Sequence, residues 1–472
     1  MKHRLPWIAA ALVLGTYLVG SYVLFRHFGY VSAPGGDLYN HAMKVALLQE
    51  QGVGAFFAGY PKLFHALVLL GVEVSGKDAL RVMLAYLPLV VGAAGAVSFL
   101  LLKRLQGSWA GVLALGLTLW VATQPLQTLY DGGFPNYISV AVWLPLVLLG
   151  VSYLEDTKKK QRVLGGILIA LGVILMMLTH HFSVAYLVIL FVAGCVISWR
   201  LTWKLLLAGL VAMLAFLLSP LSAGVRDLAS AVVQFGGAFP WIHLVGTLDN
   251  PNALISVRAF PEYFTPLIWW GGFAALVWVC ILMLARKPVP LTVKLLAVLT
   301  FVLLVCSQME VFGFPLRLAR DAGVPLLFLF VYGAAHFTQK AFAKDRVWGV
   351  ASLLFLALFL LPSLHDRFER MTHFEPAMQY TPAQDKIASY DSPGLMVALD
   401  QLLPVIAHPK ARPYEFKTEF LFREDIVQMK CLIMIEAGDA YVARIEGILK
   451  EYGFVLIERE TDPLKSVRLY CR

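Results

Sequence analysis

An acid and an imidazole stand four residues apart in Gly36-Asp37-Leu38-Tyr39-Asn40-His41, the GDLYNH stretch. A helix running from Asn40 onward puts Asp37 and His41 on one face at its start. An acid there is favoured by the helix dipole and caps free N–H groups, which describes a plain surface helix. At a membrane surface the same pair describes a reaction centre, because a carboxylate takes the proton of a hydroxyl as that hydroxyl attacks carbon. Both readings stay open at this point. Arg317 and Arg320, three apart in PLRLARDAG, suit a grip on phosphate or pyrophosphate. Headgroup contact, or pairing with Asp321, is the plain alternative. His180 and His181 in THHFS either stabilise a leaving phosphate or cap a helix end. Asp37, His41 and His180 form the candidate set for a divalent metal, Mg or Mn. Lys62, His65 and Asp131 complete the polar candidates.

The elements that must position these residues are apolar. Of 472 residues, 59% are hydrophobic and 15% charged. A soluble chain of this length carries about 25% charge, so this is a polytopic membrane protein. The net charge of +9 does not indicate nucleic acid, because the basic residues cluster in short loops between apolar runs. The five cysteines have no metal-binding spacing.

Met1 to Arg4 is basic and an apolar run follows to about Phe25, read as an uncleaved anchor with its N-terminus inside. The first outer loop runs over 26–78, and its apolar stretch Leu63 to Val72 is too short to span. Further spans are expected near Ala79–Leu102, Ala110–Thr123, Val140–Leu154, Val163–Thr179, Val184–Ser198, Leu205–Leu221, Pro266–Leu284, Lys294–Val311, Val324–Phe337 and Val347–Leu361. In alternating order the basic loops all fall on one side. The expected architecture is a membrane all-α domain over 1–363, with about 11 transmembrane helices, N-terminus inside and C-terminus outside.

From Pro362 the composition turns ordinary, and 364–472 reads as a small soluble α/β domain on the outer face. Strands are expected over Cys431–Glu436, Phe454–Glu458 and Ser466–Cys471, and a helix over Asp439–Tyr452. Cys431 and Cys471 can pair if this tail faces an oxidising space. The span centres are almost free of charge, which counts against a transporter or flippase of a lipid-linked glycan. A non-catalytic scaffold for envelope assembly is the other alternative.

The layout resembles the GT-C superfamily of integral membrane glycosyltransferases. The resemblance rests on the acid after span one (GDLYNH), the GGFPNY loop (Gly132 to Tyr137), the histidine at a span end (THHFS), the arginine near the last spans (PLRLARDAG) and the closing soluble domain. It implies transfer of a sugar from a polyprenyl-phosphate or polyprenyl-diphosphate donor to a glycan, lipid or protein acceptor. It further implies that Asp37 is the base and that Arg317 or Arg320 contacts the donor phosphate. Two motifs depart from known subfamilies. Asp37 has no adjacent acid, and Trp269-Trp270 is followed by Gly271 within a span.

Overall fold

The computed structural model describes residues 4–30, 33, 38–52, 61–124, 126–130, 133–180, 182–183, 185–198, 259–308, 315–372, 396–398, 411–413, 430–435, 446–461 and 466–472. Six of the described helices are long and apolar enough to cross a membrane. They are α1 (Leu5–His27), α4 (Ala79–Gln106), α7 (Phe134–Leu154), α8 (Lys159–Thr179), α11 (Pro266–Leu284) and the greater part of α13 (Pro315–Lys344). Shorter apolar helices are α3 (Leu63–Ser75), α5 (Ser108–Trp120), α9 (Ala185–Ser198) and α12 (Leu291–Cys306). The remaining helices are α2 (Leu38–Gln51), the short α6 (Leu126–Tyr130) and α10 (Phe260–Tyr263), and α14 (Arg346–Thr372). The expected Leu205–Leu221 span and the long loop after it lie outside the described residues.

Association of apolar helices in lipid depends on close packing, so small residues mark the contacts. The α7/α8 crossing shows this directly. A Cβ at Gly150 would lie 2.8 Å from the Gly165 carbonyl oxygen, and one at Gly165 would lie 2.6 Å from that of Gly150. The α4–α5 hairpin turns on Gly107, whose φ of 93° is open to glycine at little cost.

One end of the bundle is fixed by charge and aromatic contacts. Lys103 Nζ sits 4.0 Å from the Trp7 ring centroid, joining the end of α4 to the start of α1. Arg104 pairs with Asp156 at 2.7 Å, and the Glu155 carboxylate accepts from the Leu291 N–H at 2.7 Å. Gln339 donates to the Gln106 carbonyl at 2.9 Å. The starts of α1 and α12 and the ends of α4, α7 and α13 therefore meet here.

Two helices begin earlier than the sequence reading places them. The fourth span starts at Phe134 rather than Val140, and the tenth helix at Pro315 rather than Val324. Both starts carry a proline in the first turn, Pro135 and Pro315. Proline stops a helix interior, but it is tolerated in the first turn, where its missing N–H has no intrahelical partner to lose. Within α7, residues Ser139–Trp143 form a π turn. It lies just ahead of Pro145, which has no N–H to offer the Ala141 carbonyl.

The described C-terminal residues form a five-stranded sheet of order β2-β1-β3-β5-β4. Its strands are β1 (Met396–Ala398), β2 (Ala411–Pro413), β3 (Cys431–Ile435), β4 (Val455–Thr461) and β5 (Ser466–Cys471). Strand β1 runs parallel to β2 and β3, and β5 runs antiparallel to β3 and β4. Cys431 and Cys471 stand opposite each other across β3 and β5 and are joined in a disulfide. A helix over 446–451 carries Glu446, which accepts from Arg468 and from the Tyr470 hydroxyl of β5. Burial and the Glu446 bond push the Tyr470 hydroxyl up to about 12. The first part of the expected Asp439–Tyr452 helix lies outside the described residues.

Candidate functional site

Three segments singled out by sequence converge at the end of the bundle opposite the Arg104–Asp156 pair. Helix α13 opens on PLRLARDAG, so Arg317, Arg320 and Asp321 stand in its first two turns rather than in a loop. Asp321 is 1% exposed. Its Oδ1 accepts from Asn136 Nδ2 at 2.9 Å, and its Oδ2 accepts from the Tyr186 hydroxyl. Asn136 comes from GGFPNY, at the start of α7. Both arginines are within electrostatic reach of the same carboxylate. Close approach here depends on Gly323, where a Cβ would lie 2.7 Å from Gln124 Cβ.

THHFS forms the adjoining wall. The Arg317 guanidinium lies 5.0 Å from the Phe182 ring centroid, a cation–π contact, and His180 stacks on the same ring at 5.9 Å between centroids. The Phe182 N–H donates to His180 Nδ1 at 3.3 Å. Ser183 is hydrogen-bonded to Ser139, tying THHFS to α7.

The first loop joins through its aromatic residues. Phe64 stacks on Phe134 at 5.2 Å, which brings α3 against the GGFPNY segment. Helix α2 begins at Leu38, ahead of the expected Asn40, and His41 Nδ1 lies 2.9 Å from His65 Nε2 of α3. Both rings are buried. Lys62, at the N-cap of α3, is also buried, and burial together with Lys44 pulls its amine below the ordinary lysine value. Burial first, then His41, Lys44 and Lys62, hold the His65 imidazole well below its ordinary value.

That shift has a sign. The folded state keeps His65 neutral while the unfolded chain accepts a proton near pH 6.5. Its stabilising effect is therefore present above about pH 6.5 and is lost as pH falls toward the depressed folded value. We expect the thermal midpoint of the detergent-solubilised protein to fall between pH 7 and pH 5. His65→Gln should flatten that slope, and an identical slope in the variant would refute the assignment.

The structure brings together His41, His65 and Lys62 in one cluster and His180, Arg317 and Arg320 in an adjoining one. Asp37, Asp131 and His181 lie outside the described residues. Among the described residues no three His, Cys, Asp or Glu side chains are grouped as a metal site requires. Sequence reasoning missed Asn136 and Tyr186 as partners of Asp321. Asn136 lay inside a quoted motif, whereas Tyr186 sits in an apolar run with nothing to distinguish it from a packing residue.

No protein-family model matches the sequence, and no curated protein sequence matches it. Solved structures do. The oligosaccharyltransferase of Archaeoglobus fulgidus in its apo form superposes with a TM-score of 0.61 at 11% identity, over 90% of this chain and 69% of that one. ArnT from Cupriavidus metallidurans bound to undecaprenyl phosphate gives 0.59 at 14% identity, over 97% of this chain and 98% of that one. The arabinofuranosyltransferase AftD from Mycobacteria gives 0.58 at 14% identity, over all of this chain and 40% of AftD. At 11% to 14% identity these likenesses show a shared fold, that of these three solved structures. The chain is an integral membrane protein of mainly helical structure.

Proposed function

We propose that this protein transfers a sugar from a polyprenyl-phosphate or polyprenyl-diphosphate donor to an acceptor at the outer face of the membrane. The observation that carries the reading is the Arg317/Arg320 pair, set at the start of α13 against Asn136, Tyr186 and Phe182. A rigid guanidinium pair at the end of a membrane bundle suits a phosphate at headgroup depth. The positive end of the α13 dipole adds to its pull on an anion. Likeness to ArnT with undecaprenyl phosphate bound supports a lipid-linked donor for this chain too.

In this mechanism the donor enters between helices, and Arg317 and Arg320 hold its phosphate. The acceptor, a glycan, lipid or protein, presents a nucleophile to the anomeric carbon. Asp37 takes the acceptor proton as the new bond forms and the bond from carbon to phosphate oxygen breaks. The arginines stabilise the charge that develops on the leaving phosphate. Lys62 supplies positive charge to the first loop, and the buried His41–His65 pair braces α2 against α3. His180 is placed through Phe182 on the arginine side, and Asp131 and His181 remain candidates for the same cleft.

Two features support an outer-facing site. The basic loops gather at the opposite end, as positive-inside orientation requires. A Cys431–Cys471 disulfide belongs in an oxidising compartment. The proposed domain limits of 1–363 and 364–472 go with this orientation, α14 running across the boundary to Thr372.

The test is transfer of labelled sugar from a panel of polyprenyl-phosphate and polyprenyl-diphosphate donors by purified protein in liposomes. Wild type should transfer from at least one donor. Arg317→Ala with Arg320→Ala should weaken donor binding by about 10- to 100-fold, as expected for losing two charge-assisted contacts. Donor binding unaffected by the double change would remove the arginines from the site.

A further inference from the structure

Resting on the phosphate site proposed above, we infer that Asp321 is a positioning residue that sets the donor class: its buried negative charge fits the arginine pair to a monophosphate-linked donor rather than a diphosphate-linked one. Both oxygens of Asp321 accept hydrogen bonds, from Asn136 and from Tyr186, so the carboxylate is held on two sides by two other helices. It stands one helical turn after Arg317 and next to Arg320, within electrostatic reach of both. Phe182 backs Arg317 from a third segment. The guanidinium groups therefore cannot be treated as two free positive charges. With Asp321 the trio carries a net single positive charge. A lipid-phospho-sugar is a phosphodiester with one negative charge, and it matches that balance. A lipid-diphospho-sugar carries two, and its extra charge meets an acid that Asn136 and Tyr186 keep in place. Like charges at such a site disfavour binding, with little salt screening where the groups are buried.

The experiment measures binding of an undecaprenyl-phosphate-linked sugar and the undecaprenyl-diphosphate-linked form of the same sugar to the full-length protein in nanodiscs, and reads the ratio of their affinities. Asp321→Asn keeps the size of the side chain and removes its charge. We expect the ratio to move toward the diphosphate by roughly tenfold. A merely structural role would weaken both lipids together and leave the ratio alone. The same comparison is made in an Arg320→Gln background, where Asp321→Asn takes the site from a balanced Arg317–Asp321 pair to Arg317 alone. There the ratio should move in the same direction. An unchanged ratio in both backgrounds, with binding of both lipids still lost in Arg317→Ala, overturns the role of Asp321 and leaves the phosphate site standing. If Arg317→Ala and Arg320→Ala bind both lipids as wild type does, the phosphate site itself is wrong and the assignment of Asp321 falls with it.

Discussion

Asp37→Asn should reduce sugar transfer by about 10²- to 10⁴-fold, the range a positioned general base supplies, while donor-lipid binding stays within about twofold of wild type. Asparagine has the shape of aspartate and is equally well tolerated ahead of a helix, so the helix that carries His41 should persist. What it lacks is an oxygen able to accept the acceptor proton. The two measurements separate the roles: transfer reports the base, and lipid binding reports the arginines. Transfer that survives the substitution would keep the enzyme reading and remove Asp37 from it. An inert scaffold would show no transfer in either protein with any donor on the panel.

The second large effect is structural. Gly165→Val should abolish recovery of folded protein from detergent, or lower its thermal midpoint severely. A Cβ at position 165 meets the Gly150 carbonyl oxygen at 2.6 Å and the Leu154 nitrogen at 3.1 Å, and both are backbone atoms that no side-chain rotation can relieve. Helices α7 and α8 would have to separate. Overpacking in a close-packed interior costs about 1–3 kcal/mol and more where backbone must move. The crossing also aligns α7 with the segment that follows α8, so the Ser139–Ser183 contact and the Tyr186–Asp321 bond depend on it. Gly166→Val is the control, because the space around that residue is open. Equal behaviour of the two variants would show that the crossing tolerates separation.

The helices were legible because apolar runs of span length have few other solutions. Strands β3 to β5 were legible from their short apolar runs and their bounding residues. The exact starts of α7 and α13 were not, since Phe134-Pro135 and Pro315 look like loop until proline is placed in a first helical turn. The arginine pair, the first-loop histidines and the GGFPNY and THHFS segments could each be picked out singly. Their joining could not. Asn136 and Asp321 are separated by 185 residues, and the pairing is a product of tertiary packing alone. The same holds for His41 and His65, which lie 24 residues apart on two helices. Tyr186 shows the other limit: a hydroxyl in an apolar run gives no sign of the carboxylate it will meet.

The position of β5 has a consequence for biosynthesis. It is made after β3 and β4, yet it lies between them in the sheet and carries the Cys471 thiol to Cys431. Until residues 466–471 have left the ribosome, β3 and β4 each keep an unpaired edge, and, with the domain on the outer face as proposed, Cys431 waits there as a reduced thiol. Nascent chains stalled before residue 466 should therefore be the ones that chaperones and proteases engage, and closure of the disulfide should mark the moment at which the sheet escapes them.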